Sequence, residues 1–259
     1  MQIPAVVASS VVLTALIGST ATAQWLNLKT PGLPRTADGR VDMKAPPPRT
    51  ADGKPDLSGI WEPDGTKFIR NLAADLKPED VVMTPAAQAL FDRRKTGALS
   101  KEEPDANCLP QGVPKIAAAP APWRIVQTPG VTFIVYEAFT QWRQIFTDGR
   151  SLPSNPNPTW FGYSVGKWDG DTFVVDTIGF NGRAWLDQLG HPSTDALHVT
   201  ERYRRASVGQ LDLQITIDDP KAYAKPWTVM QHPHLVPDTE LLEFICLENE
   251  KDNKHMVTN

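Results

Sequence analysis

The stretch WFGYSVGKWDGDTFVVDTIGFN, running from Trp160 to Asn181, decides the fold. Its two halves, Phe161 to Trp168 and Thr172 to Ile178, are rich in aromatic and β-branched residues, which suit a pleated, half-buried surface. Between them lies Asp169-Gly170, a pair that tolerates the positive φ angles of a type I′ turn. The segment therefore reads as a β-hairpin.

Working outward, the same grammar recurs. Trp123 to Thr128 and Val131 to Tyr136 flank Pro129-Gly130, and Trp142 to Thr147 runs into Asp148-Gly149. Leu197 to Arg204 and Leu211 to Ile217 flank Ser207-Val208-Gly209, and Trp227 to Gln231 and Leu241 to Leu247 extend the series. Short strands separated by turn chemistry predict an all-β, mainly antiparallel barrel of about 8–10 strands, because closure removes exposed sheet edges. One accessory helix is expected within Leu76 to Gly97, with Thr84 as its cap and Pro85 at its first position. Ser100 to Pro122 reads as loop.

Alternation assigns the faces. Leu211, Leu213, Ile215 and Ile217 share one side of their strand, which makes that side the interior. In the strand before it, Leu197, Val199, Glu201 and Tyr203 share a face. An inward setting of that face buries Glu201 in the barrel and turns His198 and Arg202 outward, and an inverted register does the reverse.

The N-terminal 23 residues read as a signal peptide: an apolar run from Ala5 to Ile17, then Ala21-Thr22-Ala23 before Gln24. Periplasmic or secreted localisation follows, and no later segment is apolar for long enough to span a bilayer. Residues 24–57 form a Pro/Gly-rich arm in which Pro34-Arg35-Thr36-Ala37-Asp38-Gly39 recurs as Pro48-Arg49-Thr50-Ala51-Asp52-Gly53. Two copies are too few for a solenoid and read as two similar turns. The barrel is assigned to 58–250 and a polar tail to 251–259. The formal net charge of -4, with both signs interspersed, offers no basic stripe for nucleic acid. In an oxidising compartment the two cysteines, Cys108 and Cys246, tend to join, and two buried free thiols are the alternative.

Several polar residues on or beside strands are candidates for chemistry. His198 with Glu201 or Asp176 supplies a histidine and a carboxylate for acid–base catalysis, and Glu137, Arg143, Trp185 and His191 are candidates for ligand binding. If Glu137, Arg143, Asp176, His198 and Glu201 face one cavity, they combine a base, a proton donor and an anion clamp. Satisfied ion pairs or solvated faces are the bland alternative for each. His191 and His198 frame GHPSTDALH, a plausible barrel mouth, where Trp185 serves either as a ligand contact or as a lid. His232 and His234 have strand spacing for a metal pair but a proline between them and no third ligand nearby, so no metal or cofactor is expected. Gly162-Tyr163-Ser164-Val165-Gly166 matches a GxSxG nucleophile elbow, but no helix follows the serine as that elbow requires. Trp61, Trp123, Trp142, Trp160, Trp168 and Trp227 are expected to be packing residues.

Leu57-Ser58-Gly59-Ile60-Trp61 resembles the Gly-x-Trp opening of lipocalins and related barrels, where the indole plugs one end of the core. PRTADGKPDLSGIW at 48–61, WDGDTFVVDTIGFN at 168–181 and HPSTDALHVTERYRR at 191–205 resemble, more specifically, a family of exported bacterial proteins. The resemblance extends over about residues 48 to 250, and this chain departs from it in repeating the PRTADG segment. It implies an exported, lipocalin-like (calycin) barrel and transfers no catalytic residue. The leading expectation is a barrel that binds a small, mainly apolar or aromatic molecule. A cyclase, isomerase or lyase using His198 with a carboxylate is the alternative, and a filled-core structural or envelope-interaction protein is the third.

Overall fold

The computed structural model of the protein describes residues 28–246 and Glu248; the expected signal peptide at 1–23 and tail at 251–259 lie outside the described residues. Ten strands form one curled, barrel-like sheet. In chain order they are β1 (Gly59–Glu62), β2 (Trp123–Thr128), β3 (Val131–Tyr136), β4 (Gln141–Phe146), β5 (Tyr163–Asp169), β6 (Thr172–Ile178), β7 (His198–Arg205), β8 (Leu211–Asp218), β9 (Trp227–Gln231) and β10 (His234–Leu235). They lie in sequence order from β1 to β9, with β10 beside β1. β9 and β10 keep one register against β8, Leu213 opposite Gln231 and Gln210 opposite His234, with Pro233 and its missing donor between them. His234 and Leu235 also pair with Glu62 and Trp61, so the two ends of the sheet meet over this short seam.

The hairpin that announced the fold pairs Asp169 with Thr172, which places Gly170-Asp171 in the turn. Only Gly170, at φ +59, takes a positive φ there, so the turn is not the type I′ expected from Asp169-Gly170. β4 and β5 run parallel, Ile145 opposite Ser164, an exception to the antiparallel meander. Parallel neighbours need a crossover, and residues 147–162 supply it. The expected strand over Leu241–Leu247 does not form: residues 241–246 are irregular. Pro237 and Asp238, at φ 58, turn the chain off the sheet after β10. Phe244 instead packs on Phe139 at 5.6 Å, and Cys246 forms a disulfide with Cys108. Closing a loop of 138 residues stabilises the fold by ~5 kcal/mol on the chain-entropy account.

Helix α2 (Pro85–Lys95) starts where Thr84 and Pro85 place it, the Thr84 hydroxyl accepting from the Ala87 amide. A one-turn helix, α1 (Lys67–Arg70), lies in a segment with no sequence signal for it. Inside the barrel the alternation of β8 holds, with Leu211, Leu213, Ile215 and Ile217 fully buried. Trp142 breaks expectation: its neighbour Arg143 points inward, so the two-residue period turns Trp142 out, 60% exposed.

One barrel end is plugged by Trp61, whose indole donates to the Leu57 carbonyl at 3.0 Å. Arg205, the last inward residue of β7, covers that ring at 4.9 Å and donates to the carbonyls of Asp56, Ser58, Ser207 and Val208. One guanidinium therefore ties the arm to the β7–β8 turn. Deeper in, Arg143 forms a bidentate pair with Glu201, Nη2 to Oε2 at 2.5 Å and Nη1 to Oε1 at 3.1 Å. Ser164, Thr177 and the Tyr203 hydroxyl complete the cluster. Burial alone would lower the Arg143 pKa, but the Glu201 carboxylate raises it above its ordinary value.

The described part of the arm is laid against the barrel, with Val208 and Gly209 donating to the Ala45 and Met43 carbonyls. Its repeats adopt the same turn. Thr36 and Thr50 each hydrogen-bond the aspartate two residues on, and Arg35 and Arg49 each donate to the following glycine carbonyl, Gly39 and Gly53. Each arginine also forms a bidentate pair: Arg35 with Asp238, and Arg49 with Asp171 in the β5–β6 turn.

The hydrogen bonds from Arg35 hold the Asp238 carboxyl down at about 2. Because the folded-state pKa is depressed, the clip is fully present above the ordinary carboxylate range and is lost as pH falls through about 2. An NMR titration of Asp238 and of residues 30–36 should show both moving together in that window. A second expectation concerns the interior. Arg143→Met strands Glu201 and should cost about 3–5 kcal/mol in chemical denaturation, whereas Arg143→Met with Glu201→Leu should recover much of the loss.

Candidate functional site

Strand register places the end of β6, the start of β7, the end of β8 and the start of β9 at the barrel end opposite Arg205 and the indole that it covers. This is the mouth, and residues 63–122, 179–197 and 219–226 cover it. Main-chain bonds knit these segments together: Gln188 and Leu189 donate to Ile69 and Arg70, Thr84 to Ala222, and Ala224 to Val82. The cover is thus a layer built by three parts of the chain.

At its centre Asp187, fully buried, accepts four hydrogen bonds. Oδ1 takes the amides of Gly190 and His191 at 2.9 and 3.1 Å, and Oδ2 takes the Leu72 amide at 2.7 Å and faces His191 Nδ1 at 2.5 Å. The carboxylate therefore fixes a proton on His191 Nδ1, so that the neutral ring carries its lone pair on Nε2. Nε2 has no hydrogen-bond partner among the described residues, and the imidazole lines a cleft of about 320 Å³. Leu76, Val81, Met83 and Phe91 give that cleft an apolar wall, while Asn71, Gln88, Lys77 and Lys95 bring polar groups. The Phe91 ring lies 4.5 Å from the imidazole and the Trp227 ring 6.0 Å.

Arg94 holds the loop that carries this pair. Its guanidinium lies 4.3 Å over the Trp185 ring and donates to the Gly190 carbonyl at 3.4 Å. Burial without a carboxylate partner lowers its pKa to about 10. Gly190 sits at φ +101, and a Cβ there would come within 2.4 Å of Arg94 Cβ, so backbone and arginine fit only around a glycine.

The seven residues singled out from sequence fall into separate places. Trp185 and His191 are in the mouth cover, Trp185 buried as part of that layer. Arg143 and Glu201 are paired inside the barrel. His198 and Asp176 meet at 3.2 Å on the half-exposed outer face, where Thr200 also donates to Asp176. Glu137 lies apart and accepts from the Leu242 amide. The five polar residues therefore do not share a cavity, and His198 cannot work with Glu201, because positions three apart on a strand face opposite ways. Ser164 lies within strand β5 and bonds Arg143 and Thr177, far from any elbow geometry. His232 and His234 turn to different carboxylates, Asp212 and Glu62.

Asp187, Phe91 and Arg94 were not among the site candidates read from the sequence. The spacing Asp187 to His191 was visible, but a loop with no periodicity gives no rule for which side chains meet. Comparison with protein-family models, curated proteins and solved structures returned no match.

Long-range proton–nitrogen correlation spectra should show the neutral His191 imidazole protonated at Nδ1. Asp187→Asn should redistribute the proton between the two nitrogens and destabilise the mouth cover by about 1–3 kcal/mol. An unchanged tautomer in the variant would show that Asp187 does not set it.

Proposed function

We propose that this is an exported barrel protein that performs acid–base chemistry on a small molecule at the mouth cleft, with His191 as the proton-transfer group. The observation that carries this reading is the Asp187–His191 pair, with Nδ1 committed to a buried carboxylate and Nε2 left for a ligand beside an apolar cleft. In this arrangement Nε2 accepts a proton from a substrate carbon or hydroxyl, and Asp187 stabilises the imidazolium that results. The cleft lining has no serine, cysteine or threonine nucleophile, which supports proton transfer of the isomerase or lyase type. Lys77 and Lys95 suit an anionic group on the substrate, and Phe91 and Met83 suit its apolar body. The Cys108–Cys246 disulfide agrees with an oxidising compartment.

The barrel interior favours a different reading of its own. Trp61, Trp123, Tyr136, Tyr203 and the Arg143–Glu201 pair fill it, which supports a structural role for the barrel itself.

The test is deuterium exchange, followed by mass spectrometry, in a panel of small apolar keto acids and β-hydroxy acids. The wild-type protein should catalyse exchange or elimination on a member of the panel, and His191→Asn should lower that rate by about 10²–10⁴ at a nearly unchanged melting temperature. Equal rates in the variant would remove His191 from the mechanism. A large fall in melting temperature would point to a packing role.

A further inference from the structure

A second cleft, of about 430 Å³, lies at the plugged end of the barrel, between the arm and the outer wall. Its size falls in the range of about 300–1,000 Å³ usual for small-molecule sites. One wall is Thr30 to Leu33 of the arm, the other is β1 and β2, and Val236 and Pro237 complete the rim. The surface is mixed, with Pro31, Leu33, Ile60, Val126 and Pro237 as its apolar part.

The charges in this lining are Arg124, Arg205 and Asp56, two guanidiniums against one carboxylate. Arg205 spends its donors on main-chain carbonyls and forms no ion pair with a described residue. Asp56 accepts the Ser58 amide at 2.8 Å. Arg124 is exposed on β2 and has neither a hydrogen bond nor an ion pair among the described residues, so its charge is available. A trough that sets an apolar strip beside a free guanidinium is complementary to one class of occupant.

We infer that this cleft binds a monoanionic amphiphile, a carboxylate with a hydrocarbon body, whose head group pairs with Arg124 and whose body lies along the wall formed by Leu33, Ile60 and Val126. A guanidinium and a carboxylate meet through two parallel N–H···O bonds, so recognition of the head is both charged and directional. The arm is part of the site. Thr30 bonds Asp238 through its amide and accepts the Asp238 amide, and Arg35 grips the same carboxylate, so the clip fixes the position of the wall. Ligand binding and arm docking are therefore coupled, and each stabilises the other. The inference is independent of His191, which lies at the opposite end of the barrel.

The experiment titrates the full mature chain with octanoate and, separately, with octanamide, following the backbone amides of Ile60 and Arg124 to Gln127 by NMR and the affinities by calorimetry. Octanoate should saturate the site. Arg124→Gln should weaken octanoate roughly tenfold while changing octanamide less than about twofold, as expected for loss of one charge-assisted pair. Arg35→Ala should weaken both ligands together, because it releases the wall and leaves the head-group contact in place. Non-saturating shifts in the wild type would overturn the inference, as would an equal effect of Arg124→Gln on acid and amide. Octanoate binding that is abolished by His191→Asn and untouched by Arg124→Gln would place the ligand at the mouth and overturn it too.

Discussion

The ion pair between Arg143 and Glu201 constrains everything around it. Two charges in a barrel interior are tolerable only if each remaining donor and acceptor is met, and Ser164, Thr177 and Tyr203 meet most of them. Such a cluster joins β4, β5, β6 and β7 from within, and it spans the one parallel junction in the sheet, where only Ile145–Phe146 and Ser164–Val165 are paired. Where main-chain pairing is thin, a side-chain network takes up the connection. The interior around this pair is filled by buried side chains, among them Trp123, Tyr136 and Tyr203. The two clefts described above lie instead at the ends of the barrel.

The ends are finished differently. At one, Arg205 is spread over Trp61 and bonds carbonyls from two separate segments, so a single side chain closes the barrel and anchors the arm. At the other, a layer of three chain segments does the same work with many bonds, and the Asp187 carboxylate is the point where two of them converge, taking the Leu72 amide from one and the Gly190 and His191 groups from the other. A group that holds a cover together is also one that sets the orientation and tautomer of an imidazole. The structural and chemical uses of Asp187 are thus one set of contacts, and this makes a melting-temperature control indispensable to any functional reading of His191.

Much of this was legible in the sequence wherever a period applied. Alternation put Glu201 on one face of its strand and His198 and Arg202 on the other without deciding which face was inward, and the same rule, applied to Arg143, would have turned Trp142 away from it. The Gly-x-Trp opening marked the plug. What could not be read were the partners. That Glu201 meets Arg143 depends on strand order and register across two intervening strands, and on a parallel junction that no turn signal announces. Asp187, Arg94 and Phe91 meet around His191 through loops and a helix far apart in sequence, where neither period nor turn chemistry specifies a contact. The strand expected at 241–247 had the right composition, but composition has no term for a chain already turned away by Pro237 and Asp238.

The repeated segment shows how local sequence and global placement separate. Both copies of PRTADG fold into the same turn because every bond in it is internal: threonine to aspartate, arginine to glycine carbonyl, and the amide of the later aspartate, Asp42 or Asp56, back to the proline. What each copy does is decided outside the motif, by which carboxylate its arginine reaches. The first finds Asp238 and so fixes the wall of a cleft; the second finds Asp171 at the tip of the β5–β6 hairpin and pins the arm to the barrel. The first pair is the less exposed of the two, its side chains 21% and 33% accessible against 49% and 57%, and solvent screening weakens the second accordingly. A duplicated turn thus becomes two clips of unequal strength, and the stronger one stands where the arm forms one wall of a cleft.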